Sequence, residues 1–484
     1  MCPVSPAKAV TLLPVTESSH PFGGALWQMT PMDLSCYGYV EEEYLVEGEA
    51  KVYTWPEGQK YPDVAHAPAP YASRILVRKP ADSARFSGNV VVEISNWPRG
   101  YDRTICAWSN CYEYLMDSGD AWVGVTFSPK VIRNLKHFDP VRYAKLAMDN
   151  PLPEDQRTAR PQSNTYHGQA TNPADESGLS FDFLSQVGIA LRENKPGYPM
   201  AGYDVKTVLV TGATPGDLAT YAAAIDLISC AEDGSNIFDG FLIFMTGAPG
   251  NVNQYEEKLH YLDERCKFYG KVPLMRAYTC KDMLGTGHHP DWALMQRRPD
   301  SDEAGAYYRS YEIAGTGLML SYIFHTEPSA EDVARTGLQV KNGRTGKAWT
   351  QEELNRFEFP TRYALNAMLG NLKLWVREGV KPPATDPYET VGVYPELDLK
   401  EDELGNVMGG LRLPYLRVPA YRFLRDATAE PLPKQTLVEL YGSFEGYMER
   451  FAQAVEDCVN ERILLRSDAE KVLTDAQSVK ALFD

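Results

Sequence analysis

The sequence predicts an α/β fold in which a mostly parallel central sheet is flanked by helices. Short apolar runs rich in β-branched residues recur along the chain, helical patterns separate them, and one run, residues 205–210, leads through a glycine-framed turn into a further helix. Continuous apolar strands mark a sheet covered on both faces, and the order strand, helix, strand is that of βαβ units. Ligands are then expected at the carboxyl ends of the strands.

In chain order, strands are predicted at residues 74–78, 90–94, 121–126, 205–210, 238–245 and 272–278, with another near 307–313. Helices fit at 107–117, before the 121–126 strand, and at 181–193 and 218–229, on either side of the 205–210 strand. Two stretches break the alternation. Residues 128–178, rich in Pro, Asn and Asp, suit a loop-like insertion over the sheet. From about residue 326 the chain turns helical, chiefly at 350–378 and 437–459, with a Pro/Gly-rich span at 379–419 between them. The expected organisation is the first part of the core at 1–127, a lid-like insertion at 128–178, the rest of the core at 179–325, and a helical region at 326–484 packing on the core.

A net charge of −17 argues against nucleic acid or an anionic membrane as partner, since either would need a basic surface. A small molecule is the expected partner. The 29 tyrosines would suit a hydrophobic or aromatic one, and a homodimer is left open. Eight cysteines lie scattered, with no CxxC pair and no His/Cys cluster at metal-ligand spacing, so no metal and no cofactor are expected. The opening residues lack the apolar stretch of a secretory signal, and no run approaches the roughly 18 apolar residues of a membrane span. The expected location is cytoplasmic.

The turn after the 205–210 strand reads Gly212-Ala213-Thr214-Pro215-Gly216. It has the outline of a nucleophile elbow, in which a strained strand-to-helix turn exposes a serine and the next residue's N–H helps bind an oxyanion. Threonine stands at the serine position, and Pro215 has no N–H to give. Local rules also account for the segment without catalysis: Thr214 as helix N-cap, Pro215 at the first helical position, and Asp217 in the first turn, where a carboxylate complements the helix dipole. Direct participation of the Thr214 hydroxyl in catalysis and Asp217 as a catalytic acid or base are the other readings.

Further blocks run along the chain: Glu42-Glu43-Tyr44 with Gly48, Tyr-Ala-Ser-Arg-Ile-Leu-Val-Arg-Lys-Pro at 71–80, Ser180-Phe181-Asp182-Phe183 followed by Gln186, Asp239-Gly240-Phe241-Leu242, Gly315-Thr316, and Gly409-Gly410-Leu411-Arg412-Leu413-Pro414. In their order and spacing the chain resembles a large family of α/β-hydrolase-fold proteins, the alpha/beta hydrolase domain-containing proteins of bacteria and fungi. The resemblance implies a triad of Ser, acid and His in that order, within an elbow that usually reads Gly-x-Ser-Gln-Ser. The serine position is Thr214, the acid position is Asp282 in Thr279-Cys280-Lys281-Asp282, and the histidine position is Leu318 in Gly315-Thr316-Gly317-Leu318. Only the acid survives. A threonine hydroxyl with no base beside it is a poor nucleophile, and loss of one oxyanion donor typically slows acyl transfer by about 10²–10³.

His288 and His289, just after Asp282, are the candidates for a relocated base, with His325 and His167 behind them; each also reads as an ordinary surface or core residue. Asn96-Trp97-Pro98-Arg99-Gly100 follows the 90–94 strand, where this fold places its other oxyanion donors, so Asn96, Trp97 and Arg99 are candidates for substrate binding. Glu93 reads as a buried, hydrogen-bonded structural carboxylate, and Arg99 and Asp102 as partners in loop salt bridges or as substrate orienters. Arg412 reads as structural or as a substrate clamp, and Leu318 as part of the pocket wall. The leading expectation is non-hydrolytic chemistry of lyase, isomerase or cyclase type on a hydrophobic carbonyl compound. Ester, thioester or lactone hydrolysis by a relocated His–Asp pair, and a catalytically inactive protein that binds a ligand or scaffolds a complex, are the alternatives.

Overall fold

The computed structural model describes residues 2–158, 172–213, 217–244, 252–256, 263–267, 269–284, 297–317, 321–341, 347–393, 396–425 and 427–484. The chain divides into two compact units, one of Met1–Leu274, Glu303–Tyr307 and Ile323–Lys341, the other of Met275–Asp302, Tyr308–Tyr322 and Asn342–Asp484.

In the first unit, the strands are β1 (Ala9–Leu13), β2 (Tyr39–Thr54), β3 (Asp63–Pro80), β4 (Asn89–Ile94), β5 (Ala121–Val125), β6 (Thr207–Ala213) and β7 (Gly240–Phe244). Their spatial order is β7-β6-β4-β5-β3-β2-β1. The pairs β4/β5, β4/β6 and β6/β7 are parallel, and β5/β3, β3/β2 and β2/β1 are antiparallel. Every residue of β4, β5, β6 and β7 is buried, as continuous apolar parallel strands require. Helices α1 (Ala107–Asp117), α2 (Pro129–Phe138), α3 (Leu179–Arg192) and α4 (Asp217–Asp226) accompany them. Residues 128–178 are thus not loop throughout: α2 forms there, opened by Pro129 at its first position and burying Val131, Ile132, Leu135 and Phe138.

The long hairpin of β2 and β3 is the largest departure from the sequence reading, which found only residues 74–78 of it. Register runs from Tyr39↔Pro80 to Thr54↔Asp63 and is broken between Ala50↔Ala69 and Val52↔His66, where Ala67 and Pro68 face Lys51. Pro68 sits in a bulge, one of the few places in a sheet where a residue without an N–H is tolerated. Three of the blocks meet at this hairpin. Gln186 of α3 donates to Glu49 O at 2.6 Å and accepts from the Tyr71 hydroxyl at 2.7 Å. A Cβ on Gly48 would lie 2.4 Å from Gln186 Oε1. A side chain there would displace the hydrogen-bonded ends of Gln186 and Tyr71, so glycine is favoured by close approach rather than by backbone torsion.

Buried charge ties the hairpin to the sheet. Arg74 of β3 donates to Glu43 of β2, to Phe22 O at 3.0 Å, to Thr126 Oγ1 at 3.0 Å and to Asp102 Oδ2 at 3.0 Å. Glu43 also accepts from Arg142 Nε at 2.5 Å and the Tyr143 hydroxyl at 2.8 Å, and the same guanidinium of Arg142 donates to Leu13 O and Pro14 O at 2.8 Å each. Burial alone would lower the Arg74 guanidinium, but Tyr143, Glu43 and Asp102 raise it above its usual range. A little further along β3, Arg78 lies over the rings of Trp108 and Trp122, 4.2 and 4.7 Å from their centroids.

The second unit holds the parallel strands β8 (Leu274–Thr279) and β9 (Arg309–Ile313). Leu411 bridges Ile313 in parallel, its N–H donating to Glu312 O at 2.7 Å. The segment predicted as one helix over 350–378 forms two, Gln351–Asn355 and Thr361–Glu378, with Pro360 preceding the second. Proline disfavours helical geometry in the residue before it. Likewise the 437–459 segment is Lys434–Tyr441 and Phe444–Asn460, parted at Gly442, with Ser443 capping the second through Gly446 N at 3.3 Å.

Asp226, the last residue of α4, is 3% exposed. Its nearest cation, Lys271, is 3.6 Å from Oδ2 and donates to Ser229 O at 2.6 Å. Burial raises the carboxyl from 3.8 to about 7 against the pull of Lys271, with Asp239 adding to the rise. A carboxyl raised on folding stabilises the fold fully below its unfolded pKa, and that contribution is lost as pH climbs through the folded value. Stability is therefore expected to fall between about pH 4 and pH 7 by on the order of 3–4 kcal/mol from this group. Urea denaturation at pH 5 and pH 8 checks it: Asp226→Asn should flatten the decline, whereas an unchanged slope in the variant removes Asp226 as its source.

Candidate functional site

Strands β4 and β6 end side by side, with Ile94 paired to Gly212. Beyond them Asn96 Nδ2 reaches Ala213 O at 3.5 Å, so the loop after β4 touches the last described residue before 214–216. The start of α1 is fixed from β4 as well. Glu93 accepts from the N–H groups of Ile105 at 3.1 Å, Cys106 at 2.9 Å and Trp108 at 2.8 Å, and from Trp122 Nε1 at 2.8 Å. Burial raises the Glu93 carboxyl, and these donors oppose the rise. A carboxylate at a helix N-terminus satisfies otherwise orphaned donors and complements the dipole, so Glu93 is a structural residue.

The loop from Asn96 to Arg103 is closed by its own backbone. Asn96 N donates to Arg103 O at 2.8 Å and Arg103 N to Asn96 O at 3.1 Å. Between them Gly100 N bonds to Trp97 O at 2.8 Å, with Gly100 at φ +89°, a left-handed conformation that favours glycine. From α2, Asn134 Nδ2 donates to Gly100 O at 2.6 Å and Lys130 Nζ to Pro98 O at 3.3 Å. The last two residues of the loop carry opposite charges with separate partners. Asp102 is bonded to Arg74 and to Thr126 Oγ1. Arg103 is bonded to Glu327, through Nε at 2.9 Å and through its second amino group.

Glu327 is 1% exposed and also accepts from the Tyr101 hydroxyl at 3.3 Å and Arg99 at 3.5 Å. Two guanidinium groups therefore share one carboxylate. Arg99 is the looser of them, 20% exposed, and burial followed by the charge of Arg103 lowers its guanidinium. The sequence reading missed Glu327, which lies in no motif and more than 220 residues from its partners. Trp97 adds two N–H groups: its indole nitrogen is buried without a hydrogen-bond partner among the described residues, and its main-chain N–H makes no bond to another described residue. An unmet buried donor costs about 1–3 kcal/mol. Nearby, Cys106 Sγ and Thr211 Oγ1 lie 2.7 Å apart, joining the first turn of α1 to β6.

Asn96, Trp97 and Arg99 thus lie on one loop closed by its own backbone. Asp282 lies in the second unit, where Oδ2 accepts from Thr279 N and Thr279 Oγ1 at 2.8 Å each, while its own N–H donates to Thr279 Oγ1 at 3.2 Å. This reciprocal pattern is that of a capping box at the start of the short helix Cys280–Leu284. Arg412, also in the second unit, donates to Val407 O, to Leu416 O at 2.7 Å and reaches Asp402 at 3.5 Å. It lines a cleft of about 640 Å³ with Asp386, Glu389, Asp402, Arg417 and Glu461, in which Arg417 is paired to Glu461 at 2.5 and 2.7 Å. Asp217 opens α4. Thr214, Pro215, His167, His288, His289 and Leu318 lie outside the described residues. His325 is exposed and bonded through Nδ1 to Thr30 Oγ1 at 2.8 Å. Among the described residues no group of three or more His, Cys, Asp or Glu side chains is set to hold a metal, and no helix is long and apolar enough to cross a membrane.

Among families, the model described as an alpha/beta hydrolase domain matches residues 5–474. No curated protein matches the sequence. Among solved structures, a protein assigned as a dienelactone hydrolase from Klebsiella pneumoniae subsp. pneumoniae is 12% identical, with 60% of this chain and 95% of that one covered and a TM-score of 0.30. A glucuronoyl esterase from Solibacter usitatus is 11% identical, with 57% and 77% covered and a TM-score of 0.29. An esterase from Pyrobaculum calidifontis is 12% identical, with 55% and 74% covered and a TM-score of 0.27. Likenesses this distant carry no argument about the reaction.

Glu327→Ala would leave the Arg103 guanidinium buried with its carboxylate removed. The expected cost is about 3–5 kcal/mol in urea denaturation, the range for breaking a buried pair from one side. A loss below about 1 kcal/mol would show the pair to be solvated and the loop to be held by its backbone alone.

Proposed function

The chain belongs to the alpha/beta hydrolase domain family over nearly its whole length, and on that premise we propose that it is an enzyme turning the family's fold to non-hydrolytic chemistry of lyase, isomerase or cyclase type, on a hydrophobic small molecule bearing a carbonyl group. One observation carries the reading: Arg99 and Arg103, on the loop after β4, share the single carboxylate Glu327, and the same loop carries Trp97, whose indole N–H has no partner among the described residues. Such a group favours negative charge developing on a carbonyl oxygen, as in an enolate, without the main-chain donor that Pro215 lacks.

The family's acyl transfer asks for a nucleophile, a base and that donor, and the three positions hold Thr214, Leu318 and Pro215. Enolisation asks only for a positioned carbonyl and a proton acceptor. Asp282 is proposed as the acceptor from the family's chain order alone, as the residue at its acid position, and a positioned general base contributes about 10²–10⁴ in rate.

A fluorophosphonate probe is expected to leave the protein unlabelled, and aryl esters to turn over no faster than background. Across a panel of hydrophobic ketones and lactones, exchange of the α-proton in D₂O, followed by NMR, should be catalysed and should fall by about 10² or more in Asp282→Asn. Labelling that disappears in Thr214→Ala, or ester hydrolysis that disappears in His288→Ala or His289→Ala, would overturn the proposal in favour of hydrolysis. Binding of panel members with no exchange would overturn it in favour of a ligand-binding role.

A further inference from the structure

At the far end of the β2/β3 hairpin a lysine and a cysteine meet. Lys51 Nζ donates to Cys2 Sγ at 3.3 Å and to Pro3 O at 2.9 Å, and it lies 3.9 Å from Asp182 Oδ1. The bulge in β3 sets this up: with no partner directly opposite in the ladder, the Lys51 N–H turns to Asp182 Oδ2 at 3.1 Å, while the Tyr53 hydroxyl donates to Oδ1 at 2.9 Å. The Lys51 side chain is 12% exposed, whereas Cys2 is only half-buried, so a small oxidant can reach the sulfur while the amine stays held against it. Cys2 is fixed from the other side too, since Cys2–Pro3 pairs in parallel with Ser229–Cys230 and Cys2 N donates to Ile228 O at 2.5 Å.

We propose that Cys2 and Lys51 form an oxidation-dependent covalent clasp, a sulfur–nitrogen bond made when a peroxide oxidises the Cys2 thiol. Peroxide takes two electrons from the thiol, giving a sulfenic acid and one water. Lys51 gives up its extra proton to solvent, which leaves the amine free. The free amine then attacks the sulfenic sulfur, the S–N bond forms as the S–O bond breaks, and the departing hydroxide leaves with the second amine proton as water. The sum is thiol, amine and hydrogen peroxide giving a sulfenamide and two waters. Sulfenic acids are known to be captured by a neighbouring nitrogen in this way. The product would lock the start of the chain onto β2, and thiol reductant would release it. This inference is independent of the reaction proposed above.

The test treats the full chain with hydrogen peroxide, digests it without reductant and examines the peptides by mass spectrometry. Expected is a linked pair carrying Cys2 and Lys51, lighter by two hydrogens than the sum of its parts and separated by dithiothreitol. Cys2→Ser and Lys51→Arg should both abolish it. Acetylation of Lys51 by acetic anhydride, measured on the unmutated protein, should be lost on oxidation and regained on reduction, so the result does not depend on either variant folding. Cys2 recovered as sulfinic or sulfonic acid with Lys51 still acetylated, or joined to Cys230 or to a second chain as a disulfide, would overturn the proposal.

Discussion

Two neighbouring residues, Asp102 and Arg103, hold the end of β4 in place by taking their opposite charges to separate buried partners. Asp102 goes to Arg74, at the centre of a network that includes Glu43, Tyr143 and Thr126; Arg103 goes to Glu327. Each charge is expensive to bury alone and tolerable only when paired and hydrogen-bonded. The loop between Asn96 and Arg103 therefore has little freedom to slide. Its shape follows from where Arg74 and Glu327 sit, and those positions follow in turn from the hairpin and from the segment after Ile323.

The central strands and α1 were legible because their cause is local: fully buried parallel strands must be apolar throughout, and the segments 90–94 and 107–117 say so in isolation. The hairpin was not, because its physics is tertiary. The place of Glu43 in the interior is fixed only by Arg74, Arg142 and Tyr143 around it, and Pro68 is accommodated only because the ladder bulges at Ala67 and Pro68. The breaks at Pro360 and Gly442 were present as residue types but were outweighed by helical periodicity on either side.

The site divides in the same way. Asn96, Trp97 and Arg99 could be named as candidates because they follow a recognisable strand, and Glu93 could be read as structural because it stands within that apolar strand, although the N–H groups it serves at the start of α1 could not be foreseen. Glu327 could not be named at all, since its role is fixed only by the fold that carries it to Arg103. What is read at 214, 215 and 318 rests on residue type alone: a threonine, a proline with no N–H and a leucine stand where the resemblance expects a serine, an oxyanion donor and a histidine.

Arg142 joins two hazards that proteins usually keep separate. One face of its guanidinium neutralises Glu43 in the interior, while the other covers the carbonyls of Leu13 and Pro14 at the end of β1, the outermost strand of the sheet. An uncovered outer strand is a template on which another chain can add. Loosening of the interior network and unmasking of that template are consequently one event, so self-association of partly opened molecules should begin at β1 and be governed by the integrity of the core rather than by surface hydrophobicity.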